Sequence, residues 1–256
     1  MKSILDVPLA VFAISMVAMW FSTQIGVFFR QRILPHKEGE EKDFNLVIPA
    51  TLTLLGLIIG FSFSMVSGRY DQRKNYEEAE ANAISTEYVR ADLLPDSDAT
   101  RVRELLKKYL DQRVLFYQTR DEHQLDEINA QTARLQSELW SVVRAVAAKQ
   151  PTYPVGLAVS AMNDVINSQG YTQAAWWYRL PVEAWVFMAA IAIFNSWLIG
   201  FSSHRRGMIV FPVLPLAVSI SFFLIADIDS PRHGLIRVVP QNLMSVSQSF
   251  TSALGS

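Results

Sequence analysis

Four long runs of apolar residues are separated by stretches that carry almost all of the charge. Residues 7–29, 44–68 and 208–226 contain no Asp, Glu, Lys or Arg, and residues 180–203 contain only Glu183. A helix of about 20 apolar residues is long enough to cross the hydrocarbon layer of a bilayer. The pattern therefore predicts four transmembrane helices. The first run is too long for a signal-peptide core and no small-residue cleavage site follows it, so we expect it to be retained.

The polar stretch between the second and third runs, residues 69–178, predicts a helical extramembrane domain. Residues 69–94 contain no proline or glycine, so the second run is expected to continue as one helix of about 50 residues that ends at Pro95. Two further helices are predicted from apolar residues at helical spacing. These positions are Val102, Leu105, Leu106, Tyr109, Leu110 and Phe116 on the first, and Leu125, Ile128, Leu135, Leu139, Val142 and Val146 on the second. Such stripes favour packing into a small bundle, with docking of neighbouring subunits as the alternative.

The predicted fold class is therefore all-α, an integral membrane protein with an extramembrane domain inserted between its second and third spans. The boundaries divide the chain into residues 1–68 (first two spans), 69–178 (helical domain), 179–227 (last two spans) and 228–256 (C-terminal tail). Three smaller patterns refine this picture. Trp176, Trp177 and Tyr178 predict an interfacial aromatic belt, with a ligand cage as the alternative. Asn195 and Ser196 predict a contact between helices inside the membrane, with pore lining as the alternative, and Pro212 and Pro215 predict a kink.

Composition narrows the function classes. The net charge is −1, which gives no basic surface for nucleic acid, and the absence of cysteine excludes disulfides and thiolate metal sites. The histidines, His36, His123, His204 and His233, are dispersed, so no metal site is predicted. Glu77, Glu78 and Glu80 are expected to form a solvated helix face. With no phosphate-binding loop or nucleophile motif either, we expect a protein without cofactor that is not an enzyme.

The second apolar run carries the most informative spacing. Gly56, Gly60, Ser64 and Gly68 recur every four residues, which is the pattern that lets membrane helices pack closely. A neighbouring stripe of Thr53, Leu57, Phe61 and Met65 has the same spacing. If the small face packs against another copy of the chain, the bulky stripe can point toward a symmetry axis and narrow a pore. The alternative is that the bulky stripe faces lipid or another helix.

Residues 54–73 resemble the corresponding helix of the bestrophin channel family. The shared elements are Pro49 near the start, Leu55 and Gly56, the Gly60-Phe61 pair, and Arg69-Tyr70 after nine residues. Residues 78–84 and 226–237 are similar to the bacterial bestrophin-like family, which was long known only as a domain of unknown function. The order of elements is also the same, although the matching motifs cover only about 45 residues.

This resemblance implies a homo-oligomer, pentameric in bestrophins, with one central pore. It implies a pore neck formed by Phe61, Leu57 and Thr53, with chloride or another anion, or a monovalent cation, as the permeant ion. Asp227 and Asp229 stand where bestrophins bind a cation; two carboxylates supply few ligands for calcium, and a helix cap or a salt bridge with Arg232 is the alternative. The expected setting is the bilayer of a bacterial inner membrane, crossed several times. The competing function is a non-conducting scaffold or sensor whose helical domain binds a partner.

Overall fold

The computed structural model describes residues 4–33, 41–202 and 212–252, which form eight α-helices and no strand. The chain divides into two compact units. The first comprises Met1–Arg69 and Arg179–Arg237, and the second comprises Tyr70–Tyr178 and Val238–Ser256. Helix α2, Glu41–Arg90, contributes to both units. Its 50 residues confirm the prediction of one long helix, because nothing between Gly68 and Arg90 interrupts the backbone hydrogen bonds. A short 3-10 turn, Ala91–Leu93, ends it just before Pro95.

The first unit is built from apolar helices. Helix α1, Pro8–Ile33, packs against α6, Val182–Ser202, and against α7, Val213–Asp229, and the first half of α2 completes the unit. Within the described residues, three segments are long and apolar enough to cross a membrane: Pro8–Arg32, Leu46–Leu93 and Tyr153–Ser202. Helix α7 has 17 described residues, and residues 208–211 of the predicted fourth run lie outside the described residues. The fourth span therefore stays a prediction.

The second unit is a helical bundle with its own apolar core. It contains α3, Asp96–Gln118, α4, Glu122–Lys149, α5, Tyr153–Trp177, and α8, Gln241–Ser252. The stripe predicted on α3 is buried throughout, and on α4 all of the predicted positions are buried except Leu125, which is partly covered. Asp121 begins α4 as an N-cap, because its carboxylate accepts a hydrogen bond from the His123 N–H at 3.0 Å.

Two helices of the second unit were not anticipated. The buried face of α5 is made largely of small residues, including Ala158, Ala161, Ser168 and Thr172, so it lacks the contrast by which an amphipathic helix is recognised. Helix α8 lies in the stretch predicted as a tail, and it buries Leu243 and Phe250.

Two local predictions are corrected in part by the described residues. The Trp176 ring does not join an exposed aromatic belt, because it is buried with its ring edge-on to Phe116 and Tyr117; Trp177 and Tyr178 are exposed. Pro212 and Pro215 do not kink the described part of α7. Pro212 is its N-cap and Pro215 lies in its first turn, where the missing N–H of a proline breaks no helical hydrogen bond.

Candidate functional site

The bulky stripe on the apolar half of α2 is uncovered in the single chain. Leu57 is 53% exposed and Phe61 is 65% exposed, and Thr53 and Met65 are exposed as well. Residues four apart lie on the same face of a helix, about 6 Å apart along its axis. The four side chains therefore form a continuous ridge that no described residue of the first unit covers.

Thr53 is the polar member of this stripe, but its hydroxyl group is already engaged. Thr53 Oγ1 donates to the Pro49 carbonyl oxygen at 2.8 Å, within the same helix. A hydroxyl group has one proton to donate, so the donor of Thr53 is satisfied by its own helix. This hydrogen bond explains how a polar threonine can belong to the same apolar stripe as Leu57 and Phe61.

The small-residue face of α2 is equally open. A Cβ atom added to Gly56, Gly60 or Gly68 would meet no heavy atom within 4 Å, and Ser64 is exposed. The buried side of this part of α2 is a different stripe, formed by Leu55, Ser62 and Val66. The two faces that the sequence singled out are therefore both largely exposed among the described residues.

The close helix crossing inside the first unit occurs elsewhere, between α1 and α6. A Cβ added to Gly200 would lie 2.0 Å from the Thr23 carbonyl oxygen, and one added to Gly26 would lie 2.2 Å from the Trp197 carbonyl oxygen. The two backbones therefore touch at a point where only glycine fits. Sequence reasoning missed this crossing because Gly26 and Gly200 stand alone in their spans, without a repeat at four-residue spacing.

A partly buried polar contact links α2 to α6. Thr51 Oγ1 lies 2.6 Å from Asn195 Oδ1, to which it can donate a hydrogen bond, and Asn195 Nδ2 donates to the Ile191 carbonyl oxygen at 2.9 Å. Ser196 donates only to the Ala192 carbonyl oxygen of its own helix. The expected helix contact therefore exists at Asn195, whereas the Ser196 hydroxyl group makes none with another described helix.

Asp227 and Asp229 hold the backbone around the end of α7. The two carboxylate oxygens of Asp227 accept from the N–H groups of Leu235 and Ile236 at 2.6 and 2.8 Å. Asp229 accepts from the Leu180 N–H at 3.0 Å and lies 3.7 Å from Arg69. Their oxygens are thus engaged in ordering the chain. Cation binding at this pair stays a prediction.

No group of three His, Asp or Glu side chains suited to a metal ion occurs in residues 4–33, 41–202 and 212–252. Of the four histidines, His36 and His204 lie outside the described residues.

The polar half of α2 contradicts the expectation of a solvated acidic face. Glu78 is exposed, but Glu77 and Glu80 are buried. Glu77 accepts from the Leu243 N–H at 2.9 Å and from Asn242 Nδ2 at 2.7 Å, so it caps the start of α8. A carboxylate at a helix N-terminus is stabilised by the free N–H groups and by the helix dipole.

Glu80 forms a buried ion pair with Arg113 of α3, and its other oxygen accepts from the Thr172 hydroxyl group at 3.0 Å. Burial opposes the charge of Arg113, but the Glu80 carboxylate outweighs it and raises the arginine pKa above its usual value. Burial and the same carboxylate raise the pKa of Tyr109 and Tyr117. In this buried cluster Arg113 therefore stays ionised, whereas Tyr109 and Tyr117 stay neutral.

Glu87, two turns after Glu80, is buried without such partners. Neither of its carboxyl oxygens has a hydrogen-bond partner among the described residues. Burial raises its pKa to about 8, against a smaller opposing effect of Arg90. Glu87 is therefore a neutral carboxylic acid at pH 7.

The comparisons with known proteins give one family model and one fold. The family model described as the bestrophin-like domain matches residues 10–243. The crystal structure of a bacterial bestrophin homologue from Klebsiella pneumoniae with a single substitution has a TM-score of 0.66 and 13% sequence identity, covering 96% of this chain and 99% of that one. A second variant of that homologue has a TM-score of 0.65 and 14% identity, with 95% and 98% coverage. A structure described as a membrane protein has a TM-score of 0.65 and 14% identity, with 96% and 99% coverage.

The comparison with curated proteins found no match. At identities of 13–14% the solved structures show the fold, and the family model supplies the membership independently. Together they confirm the resemblance seen in the sequence. The chain belongs to the bestrophin-like family.

Proposed function

We propose that the chain forms a homo-oligomeric ion channel in the membrane, with a central pore narrowed by Leu57 and Phe61 of α2 and lined one turn earlier by Thr53. The characterised members of the bestrophin-like family are ion channels, which supports this class of function. The family and the apolar helices point to an integral membrane protein. Five copies around the pore, as the bestrophin resemblance implies, in a bacterial inner membrane, complete the proposal.

The observation that carries the proposal is the exposure of the apolar half of α2. We compare the most apolar stretch of each candidate span. Buried residues make up 11% of that stretch in Leu46–Leu93, against 28% in Pro8–Arg32 and 44% in Tyr153–Ser202. The most exposed of these helices is also the one that carries small residues at four-residue spacing. A span of this kind is suited to packing against further copies of itself.

The two faces of α2 have complementary roles in such an assembly. Leu57 follows Gly56 directly, and Phe61 follows Gly60, so the bulky stripe is rotated by about 100° from the small one. When the small face packs against a neighbouring copy, the bulky stripe can project toward the axis. Rings of Leu57 and Phe61 would then form an apolar constriction that gates ions by dewetting.

The proposal is tested by current through the purified full-length oligomer in a planar bilayer under a tenfold KCl gradient. We expect discrete openings with a non-zero reversal potential, whose sign identifies chloride or a monovalent cation as the permeant ion. Leu57→Ala and Phe61→Ala should change the conductance of an oligomer that still assembles, because they widen the constriction.

Phe63→Ala is the matched control for this test. Phe63 is an exposed aromatic residue of the same helix, but it is rotated by about 200° from Phe61. We expect its conductance to match that of the unmodified protein. A verified oligomer that stays silent with and without the Leu57→Ala and Phe61→Ala changes would overturn the channel in favour of the scaffold or sensor.

A further inference from the structure

We infer that Asn195 of α6 is a positioning residue for the pore, because it clamps α2 through Thr51 just before the neck stripe begins. The inference rests on the proposed channel function and adds a residue outside α2 that sets where the neck stands.

The clamp engages both the side chain and the backbone of Thr51. Asn195 is fully buried in an apolar helix, its Oδ1 atom faces the Thr51 hydroxyl group at 2.6 Å, and its Nδ2 atom lies 3.4 Å from the Thr51 carbonyl oxygen. A polar amide inside a membrane span is costly unless it has partners. Asn195 obtains them from α2 and from the Ile191 carbonyl oxygen of its own helix.

The position of Thr51 in α2 explains why this contact affects the neck. Pro49 lies inside α2, two residues before Thr51, and Thr53 follows two residues after it. Proline has no N–H group and removes one hydrogen bond of the helix, which makes α2 easier to bend at this level. A contact that fixes Thr51 therefore fixes the segment between the weak point and the first neck residue.

If the contact with Asn195 opens, the Thr51 hydroxyl group still has hydrogen-bond acceptors within α2. Thr51 Oγ1 also lies 3.0 Å from the Val47 carbonyl oxygen and 3.1 Å from that of Ile48, both within α2. Because the hydroxyl group has a single proton, donation to α2 and donation to Asn195 exclude each other. The clamp thus has a closed arrangement, with the proton on the Asn195 side, and a released one, with the proton on the α2 side.

The test compares the open probability of single channels for Thr51→Val and Asn195→Leu with that for Ser196→Ala. Thr51→Val keeps the shape of the side chain and removes only the hydroxyl group. Ser196→Ala removes a buried hydroxyl group next to Asn195 that bonds only within α6. We expect each of the first two changes to shift the open probability about threefold to twentyfold, the range that interhelical hydrogen bonds in membranes give.

Two further variants tie the effect to the contact. Thr51→Ser keeps the hydroxyl group and should restore the original open probability, whereas the double variant Thr51→Val/Asn195→Leu should be no more altered than either single one. An unchanged open probability in Thr51→Val and Asn195→Leu, or additive effects in the double variant, would overturn the clamp.

The failure of the clamp is distinguishable from the failure of the channel. If the unmodified oligomer does not conduct, the proposed function fails. The clamp is then decided by amide hydrogen exchange of residues 50–57 in the same oligomer. Faster exchange in Thr51→Val and Asn195→Leu than in Ser196→Ala supports it, and equal exchange overturns it.

Discussion

In soluble proteins large apolar side chains are usually buried and charged ones exposed. Each half of α2 breaks one part of this rule. Between residues 46 and 69 the helix exposes large apolar side chains, including Leu57, Phe61 and Phe63. Between residues 70 and 90 it buries four charged or acidic side chains, which are Arg73, Glu77, Glu80 and Glu87. The first half of α2 thus exposes apolar side chains, and the second half buries charged or acidic ones.

The difference shows what each half of the helix packs against. Exposed apolar side chains cost nothing when lipid or another copy of the chain surrounds them. Buried charges are tolerated in the polar half because three of the four have partners of the right kind. Glu77 caps the start of α8, Glu80 pairs with Arg113, and Arg73 donates to the Ala175 and Tyr178 carbonyl oxygens at the end of α5. Glu87 is the exception.

The buried ion pair gives the largest expected effect. Glu80→Ala would leave the fully buried Arg113 without its counter-charge, and we expect a loss of about 3–5 kcal/mol in the free energy of unfolding. The measurement is denaturant unfolding of the purified chain in detergent, followed by the helical circular dichroism signal. Glu78→Ala, an exposed acid in the same turn, should change stability by less than about 0.5 kcal/mol.

A pair of compensating changes sharpens this test. Replacing both partners by apolar residues, Glu80→Leu with Arg113→Met, should recover much of the loss because no buried charge then lacks a partner. Equal stability of Glu80→Ala and Glu78→Ala would show that the polar half of α2 does not depend on its buried pair.

The long reach of α2 and the stripes of α3 and α4 could be predicted because both are properties of neighbouring residues. Residues 69–94 contain no helix breaker, and the apolar positions of α3 follow helical spacing. The burial of Glu77 and Glu80 could not be predicted in this way. It depends on Leu243 and Arg113, which arrive from distant parts of the chain. The crossing at Gly26 and Gly200 is also set by two spans far apart in sequence.

Family resemblance supplied what local pattern could not. Spacing alone left the stripe of Leu57 and Phe61 open to lipid, to another helix or to a pore. The structure shows that no described residue of the first unit covers it, which removes only one of those three environments. The proposed pore axis would lie between copies of the chain, so the pore environment is argued from the family and from the exposure of this stripe.

The unpartnered Glu87 predicts a pH dependence. Its pKa is about 8 in the folded chain and about 4.5 in the unfolded one, so the folded state holds a proton that the unfolded state has released. Stability should therefore fall as pH rises from about 4.5 to 8, by about 1.4 kcal/mol per pH unit, and level off above. Glu87→Gln should remove this slope, since an amide does not ionise.

Thermal unfolding in detergent at pH 5.5 and 7.5 measures this effect, which amounts to about 3 kcal/mol across the two pH units. Glu78→Gln on the exposed side of α2 serves as the control and should keep the slope of the unmodified protein. A slope that survives Glu87→Gln would assign the pH dependence to another group.

The two kinds of glycine on the apolar helices allow a direct comparison of contacts within and between copies. Gly200→Ala places a Cβ against the Thr23 backbone, and we expect a destabilisation of about 1–3 kcal/mol or more in the chain itself. Gly60→Ala meets no atom of its own chain. It should leave the fold intact and weaken the oligomer if the small face is the packing face between copies.

Native mass spectrometry and thermal unfolding separate the two outcomes. We expect Gly200→Ala to lower the unfolding temperature, and Gly60→Ala to shift the distribution toward smaller assemblies. Gly156→Ala, where an added Cβ also meets no atom, lies on α5 in the second unit and should change neither. An unaltered oligomer in Gly60→Ala would place the contact between copies on another face of α2.

The smallest effect is expected at Thr53. Because its hydroxyl proton is donated to the Pro49 carbonyl oxygen, Thr53→Val should leave the single-channel conductance within about twofold of its original value, as the side chain keeps its shape and the pore loses no available donor. The measurement is the current amplitude in the same bilayer, beside Leu57→Ala as the variant that changes the width of the neck. A change at Thr53→Val as large as that at Leu57→Ala would mean that the Thr53 hydroxyl group leaves Pro49 and contacts the permeant ion or its water. Conduction along the apolar half of α2 would then depend on a polar group, as the packing of the other half of the helix does.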